Sequence, residues 1–122
     1  MLASASRDAQ TDRQGAPVPP TLQQFKAQLF HALGHEVRIR ILEEMRGGEC
    51  SVGELQELVG VSSSNVSQHL AVLRSEGIVT TRRDGTSVFY SIADRRLYRL
   101  LDDARSIFEN RIAAGAALLH GS

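Results

Sequence analysis

The sequence predicts a mainly α-helical domain with one β-hairpin, in the order α-α-α-α-β-β-α. Apolar residues recur at helical spacing in five segments, and two β-branched runs flank an Asp-Gly pair between the last two of them. The chain has 122 residues, of which 42% are hydrophobic and 23% are charged, as in an ordinary globular domain. No apolar run approaches the roughly 18 residues of a membrane span, so no transmembrane helix is predicted.

The first 20 residues differ in composition from the rest of the chain. They are rich in Ala, Ser and Gln, end on Pro17, Pro19 and Pro20, and lack both apolar periodicity and the apolar core of a secretory signal. We therefore expect a disordered tail over residues 1–20 and one folded domain over residues 21–119.

Two helices begin the folded domain. Thr21 is a candidate N-cap for the first helix, and Gly34 ends it. The second helix runs from about His35 to Arg46, where a Gly-Gly pair follows.

The next two helices have the spacing of a DNA-binding motif. Ser51 and Glu54 form a capping box at the start of a short third helix, and Gly60 is placed to end it in a left-handed conformation. Ser62 is the N-cap of the fourth helix, which extends to Glu76. A short helix, a tight turn and a second helix are typical of a helix-turn-helix.

The hairpin and a long last helix complete the domain. Segments 78–83 and 86–92 are predicted strands joined by a turn at Asp84-Gly85, and a hairpin after a helix-turn-helix is a wing. The last helix begins near Asp94, and its apolar stripe is close to a coiled-coil seam: Leu97, Leu100, Leu101, Ala104, Ile107, Phe108 and Ile112. The fold class is therefore a winged helix-turn-helix.

The fourth helix has a small, polar face without charge. Val66, Leu70 and Leu73 share its core side, and the opposite side carries Ser64, Ser67, Gln68, Ala71 and Ser75. Small side chains let a helix lie deep in the major groove, and Gln can pair with the edge of adenine. The backbone N–H groups of Ser63, Ser64 and Asn65 suit a phosphate oxygen. The alternative is a solvent face that happens to be uncharged.

Positive charge is concentrated in one segment although the whole chain is neutral. Residues 61–99 carry six arginines against three acidic residues, which is the form of a local nucleic-acid footprint. Arg82 and Arg83 belong to the wing, and adjacent strand residues face opposite sides, so we expect only one of them to point at DNA. An uneven solvated surface and a charge-protected edge strand are the alternatives.

Three motifs resemble the ArsR/SmtB family of bacterial winged-helix repressors. They are ALGHEVRIRIL at 32–42, SSSNVSQHLAVLRSEGIV at 62–79 and RRDGTSVFYSI at 82–92, and the similarity covers about residues 22–112. The resemblance implies a homodimer held by the first and last helices. It also implies binding to an inverted-repeat operator and release when an inducer binds.

The resemblance also implies site residues. By the family pattern, the DNA-contacting positions are Ser64, Ser67, Gln68 and His69, with Arg82 and Arg83 on the wing. We add Ser63, Asn65, Arg74 and Thr86 to the expected DNA-contacting set. A helical wheel puts His69 at the flank of the face, where it either packs or touches a phosphate. The dimer interface is expected at Leu22, Phe25, Leu29, Leu97, Leu101, Ala104, Ile107 and Phe108.

The residues at the metal-site positions of the family argue against metal sensing. Ser51 and Gly53 stand where one family site has a Cys-x-Cys pair. At the second site, the four positions carry Asp94, Arg96, Ile107 and Asn110, of which only the aspartate is a metal ligand. We therefore predict no metal and no cofactor. An unconventional metal site involving His31, His35 or His120 stays open, as does a small organic inducer.

Cys50 is the only cysteine, so it excludes an internal disulfide and indicates a reducing cytosol. It lies just ahead of a helix N-terminus, whose dipole lowers a thiol pKa, so a redox thiol is one hypothesis and an unreactive side chain is the other. The chain has neither a Gly-rich phosphate loop nor a nucleophile elbow, and no enzymatic activity is predicted.

The sequence thus predicts a homodimeric, cytoplasmic DNA-binding transcriptional regulator. The expected mode of action is repression from an inverted-repeat operator, with release by an unidentified small-molecule or redox inducer. The alternative is a protein-interaction or dimerisation module that keeps the winged-helix shape without reading DNA.

Overall fold

A computed structural model describes residue 11 and residues 13–120, with side chains described as far as residue 115. Its elements, in chain order, are α1 (Leu22–Leu33), α2 (Glu36–Glu44), a 3-10 turn (Met45–Gly47), β1 (Cys50–Ser51), α3 (Val52–Val59), α4 (Ser63–Ser75), β2 (Val79–Asp84), β3 (Ser87–Ile92) and α5 (Leu97–His120). The predicted order of helices and hairpin strands is confirmed, and β1 is an addition to it.

The predicted tail lies mostly outside the described residues. Residues 1–10 and 12 are not described, and Thr11 forms an isolated antiparallel bridge with Pro17. Disorder over residues 1–20 therefore stays a prediction. Among the described helices, none combines the length and the apolar character needed to cross a bilayer.

The helix caps follow the sequence signals. Thr21 Oγ1 accepts from Gln24 N at 3.1 Å, and Ser51 Oγ accepts from Glu54 N at 3.2 Å, each within a complete capping box. Gly60 has φ 78°, the left-handed conformation predicted for the end of α3. These local signals fix the start of α1 and both ends of α3.

Three predicted boundaries were wrong by a few residues. His35 caps α2 instead of beginning it, because its Nδ1 accepts the Val37 N–H at 3.1 Å. The α-helix ends at Glu44, and the backbone tightens into the 3-10 turn that follows. The last helix begins at Leu97, since Asp94 Oδ1 accepts from Arg96 N at 3.0 Å and holds a turn ahead of it.

The hairpin is part of a three-stranded antiparallel sheet in the order β1-β3-β2. Cys50 pairs with Tyr90 in the two-residue strand β1, which is too short to leave a pattern in the sequence. Asp84 pairs with Ser87, so the turn is Gly85-Thr86, one residue later than predicted. Gly85 has φ 62°, as the first position of a type II′ turn requires.

The core joins α4 and α5 to α2. Val66, Leu70 and Leu73 on α4 are fully buried, which confirms the predicted core face. The Tyr98 hydroxyl on α5 donates to the Leu42 carbonyl at 2.7 Å in a buried hydrogen bond. This contact fixes the start of the long helix against α2.

Candidate nucleic-acid interface

The exposed face of α4 is the small polar surface predicted from the sequence. All five residues assigned to this face are exposed. The side chain of Gln68 makes no hydrogen bond with any described residue, and neither does that of Asn65, whereas the Ser75 hydroxyl donates to the Val72 carbonyl at 2.9 Å. Because these amides are unsatisfied within the described chain, they are available to base edges.

The N-terminus of α4 offers two backbone donors instead of three. Ser62 Oγ accepts from Asn65 N at 3.3 Å and lies 3.2 Å from Ser64 Oγ. The Asn65 N–H is therefore not free as predicted, because the cap already takes it, and this argues against its use for a phosphate. The N–H groups of Ser63 and Ser64 make no hydrogen bond among the described residues, and they lie at the positive end of the helix.

An arginine on α2 braces the turn between α3 and α4. Arg40 Nη2 donates to the Val59 carbonyl at 2.6 Å, at the last residue of α3. This carbonyl would otherwise be one of the unpaired acceptors of a helix end. The contact and the left-handed Gly60 together set the direction in which α4 leaves the turn.

His69 packs against α2 instead of joining the exposed face. Its Nδ1 accepts from Arg38 Nε at 3.2 Å, and its ring centroid lies 4.3 Å from that of His35. Burial, together with the nearby His35 and Arg38, lowers the pKa of His69 below its ordinary value. These contacts support the packing alternative and not a phosphate contact.

The same cluster is poorly suited to a metal. His35 and His69 both use the Nδ1 lone pair as a hydrogen-bond acceptor, so in each neutral ring the proton is on Nε2.

Asp94, the aspartate at the second family metal site, is held by three hydrogen bonds from the Arg96 guanidinium, which lower its pKa to about 2. Within the part of the chain that the structure describes, no three potential ligands are grouped. The side chain of His120 lies outside it.

The two wing arginines have different surroundings. Arg82 Nε and Nη2 donate to the two Glu49 carboxylate oxygens at 3.1 and 2.6 Å, and the guanidinium lies 4.9 Å from the Phe89 ring centroid. The side chain of Arg83 is exposed and makes no hydrogen bond or ion pair with a described residue. Thr86 is exposed in the turn. The expectation that only one of the two arginines faces DNA therefore favours Arg83.

Only three of the six arginines in residues 61–99 have side chains without a partner among the described residues. Arg82, Arg95 and Arg96 are engaged with other parts of the chain. The remaining arginines of residues 61–99 are exposed and make no hydrogen bond or ion pair among the described residues: Arg74, Arg83 and Arg99. Arg74 lies in the last turn of α4, beside the polar face.

Cys50 has the opposite environment to that of a reactive thiol. It is buried in β1, and its Sγ lies 3.9 Å from the Glu44 carbonyl oxygen. Burial raises the pKa of this thiol, and the carboxylates of Glu54, Glu44 and Glu49 raise it further. The redox-thiol hypothesis rested on a lowered pKa, so the structure argues against it.

The predicted dimer residues fall into two groups. Leu97 and Leu101 are 8% exposed and belong to the core of the subunit, so their apolar burial is already complete. The others are exposed or half-buried along α1 and α5: Leu22, Phe25, Leu29, Ala104, Ile107 and Phe108. Leu100 and Ile112 extend the same exposed stripe on α5.

A groove lies where α1, the turn after α4 and the start of α5 meet. Its volume is about 580 Å³, within the usual range of small-molecule sites. Its lining is mostly apolar, and the ion-paired Asp94 and Arg96 are among the residues that line it. The apolar lining residues are Phe25, Leu29, Ile78, Leu97 and Leu100.

The sequence analysis missed Glu49, Arg38 and Arg40. Each acts through a partner far away in the chain, 33, 31 and 19 residues distant respectively. A single sequence carries no local spacing signal for such pairs, so only the folded geometry identifies them.

Comparison with known proteins gives a consistent result. The sequence profile described as "Bacterial regulatory protein, arsR family" matches residues 35–81. The chain is 44% identical over 99 residues to the uncharacterized HTH-type transcriptional regulator Rv0081 of Mycobacterium tuberculosis, covering 80% of this chain and 87% of that protein. The crystal structure of Rv0081 superposes with a TM-score of 0.71, covering 81% of this chain and 100% of that one.

Two further solved structures are similar. The transcriptional repressor BigR of Xylella fastidiosa has 37% identity and a TM-score of 0.64, covering 68% of this chain and 85% of its own. The homodimeric winged helix-turn-helix DNA-binding domain Mb0332 of Mycobacterium bovis has 28% identity and a TM-score of 0.68. It covers 84% of this chain and 91% of its own.

Proposed function

The chain belongs to the ArsR family of bacterial regulatory proteins, and from this membership we propose that it is a homodimeric repressor of transcription. The domain over residues 21–119 binds an inverted-repeat operator, and an inducer releases it. Repression is supported by the similarity to BigR of Xylella fastidiosa, a transcriptional repressor. A cytoplasmic location accompanies this proposal, because bacterial chromosomal DNA lies there.

The observation that carries the proposal is the exposed, uncharged face of α4. Surface helices usually carry Glu and Lys, whereas this face carries three serines, an alanine and the amide of Gln68, which has no partner in the described chain. Gln68 is suited to the N6/N7 edge of adenine, and the Ser63 and Ser64 N–H groups are suited to a phosphate. The proposed DNA set is Ser63, Ser64, Asn65, Ser67, Gln68, Arg74, Arg83 and Thr86.

The proposed dimer uses the apolar stripe of α1 and α5. Phe25, Ile107 and Phe108 are each more than half exposed, and a second subunit would bury them. The description of the similar Mb0332 domain as homodimeric supports this arrangement. Two α4 helices related by a two-fold axis should contact half-sites about 34 Å apart, one helical turn of DNA.

From the surroundings of Cys50 and Asp94, we infer that the inducer is a small organic molecule. The raised pKa of the buried Cys50 thiol makes it a poor target for an oxidant, and the hold of Arg96 on Asp94 makes that carboxylate a poor metal ligand. The groove beside α1 and α5 has the volume for such a molecule. Because Phe25 and Leu29 line the groove and also belong to the proposed dimer interface, the molecule would lie at that interface.

A gel-shift experiment with the gene's own upstream region tests the proposal. The protein should shift this fragment at concentrations that leave random DNA unbound, and binding should weaken steeply as salt rises. A protein-interaction module with the same shape would give no sequence-selective shift, and that result would refute the proposed function.

A further inference from the structure

We propose that Arg82 is a positioning residue of the wing, held by Glu49, and that Arg83 is the wing cation that contacts DNA. This inference rests on the proposed function. It departs from the set implied by the family resemblance, which includes both arginines, and it assigns a role to Glu49.

Strand alternation separates the two arginines. Val79 is buried, so the odd-numbered residues of β2, which include Arg83, share the sheet face that packs on the helices. Arg82 is on the other face, directly opposite Phe89 in the pairing of β2 with β3. Arg83 therefore lies on the side of the sheet where α4 packs, and Arg82 faces away from it.

The Arg82 side chain crosses the sheet. Strand β3 lies between β1 and β2, and Glu49 immediately precedes β1. Arg82 extends over the Phe89 ring to reach Glu49, and it also lies 4.0 Å from Asp84. The contact thus connects the outer strand of the hairpin to the opposite edge of the sheet, which limits rotation of the wing relative to the domain.

The geometry of the ion pair is bidentate, with two guanidinium donors on the two carboxylate oxygens. The side chains are 54% and 39% exposed, so the pair makes a modest contribution, of the size of other exposed ion pairs. To bind a phosphate, Arg82 would give up two hydrogen bonds and leave an unpaired carboxylate near the DNA. Arg83 has no such partner to leave among the described residues.

The decisive test is a charge reversal of the pair. The double variant Glu49→Arg with Arg82→Glu keeps the net charge and can rebuild the ion pair with opposite polarity. We expect it to bind operator DNA within about two-fold of the wild type. The single variants Arg82→Gln and Glu49→Gln should each weaken binding by about two- to five-fold without changing the dependence of binding on salt.

Matched variants separate positioning from direct contact. Arg83→Gln should reduce the slope of log affinity against log salt by about one, as loss of a phosphate contact does. Glu57→Gln removes a single exposed charge outside the proposed DNA and dimer surfaces and should leave affinity unchanged. Thermal unfolding of each variant shows that the domain still folds.

Three results would overturn the inference while leaving the proposed function intact. They are a loss of affinity of more than ten-fold in the reversed double variant, a reduced salt slope in Arg82→Gln, and unchanged or tighter binding in Glu49→Gln. A wild-type protein that shifts no DNA selectively would refute the proposed function and this inference with it.

Discussion

At the scale of single residues, identical residue types have different roles because their partners differ. Arg38, Arg40 and Arg82 hold parts of the chain together, whereas Arg83 has no partner among the described residues. Composition and spacing located the positive segment, but they could not distinguish a structural arginine from a free one. The distinction depends on carboxylates and carbonyls that are remote in sequence.

The surroundings of His69 predict a pH dependence of stability. Its pKa is lowered in the folded protein, so the native state binds a proton less readily than the unfolded state, whose value is near 6.5. The free energy of unfolding should therefore have its full value above about pH 7. It should fall as the pH drops through about 6.5 toward the lower pKa that His69 has in the folded protein.

Chemical denaturation between pH 5 and 8 measures this effect. His69→Gln should reduce the loss of stability over this interval, because no imidazole is left to protonate beside Arg38 and His35. His31→Gln is the matched control, since the side chain of His31 is exposed and forms no hydrogen bond among the described residues. An identical pH profile for wild type and His69→Gln would contradict the account.

At the scale of elements, the sequence predicted the helices well because their caps are local. The Thr21 and Ser51 boxes and the Ser62 cap each depend on residues within one turn. Strand β1 escaped prediction because a two-residue strand has no periodicity and exists only through its pairing with β3. The hairpin turn was misplaced by one residue, since Asp84-Gly85 and Gly85-Thr86 both provide a glycine for a tight turn.

Gly53 in α3 and Gly60 directly after it predict opposite effects of the same substitution. Gly60 has φ 78°, so Gly60→Ala should destabilise the domain by about 1 kcal/mol. Gly53 lies inside the helix with only the Ser51 Oγ within 4 Å of an added Cβ, at 3.9 Å, so Gly53→Ala should stabilise by about 0.5–1 kcal/mol. Urea denaturation of both variants tests this, and a shift of the same sign in both would contradict the assigned cap.

At the scale of the whole molecule, the subunit buries one side of α5 and leaves the other exposed. Leu97, Tyr98 and Leu101 belong to the core, whereas Ile107, Phe108 and Ile112 do not. The apolar stripe was visible in the sequence, but periodicity alone could not divide it between the core of the subunit and a partner. This division changes which substitution tests the dimer, because a charge at Leu101 would disrupt the subunit itself.

Ile107→Glu is the appropriate substitution. Ile107 is 55% exposed in the single subunit, so the variant should fold and yet be monomeric, since a dimer would bury two carboxylates. Operator affinity should fall more than ten-fold because one half-site is lost. Ser106→Glu adds the same charge at an exposed position on the side of α5 opposite the centre of the stripe, and it should stay dimeric. Analytical ultracentrifugation of both variants makes the comparison, and a dimeric Ile107→Glu would place the interface elsewhere.

The most direct test of the account is the affinity of Gln68→Ala for operator and for random DNA, measured at one salt concentration. If the α4 face reads bases, operator binding should weaken by about 1–3 kcal/mol and random binding should hardly change. Gln23→Ala, the same change at an exposed position on α1, should alter neither. Equal losses on both DNAs, or no loss on either, would contradict the claim that this face recognises the operator.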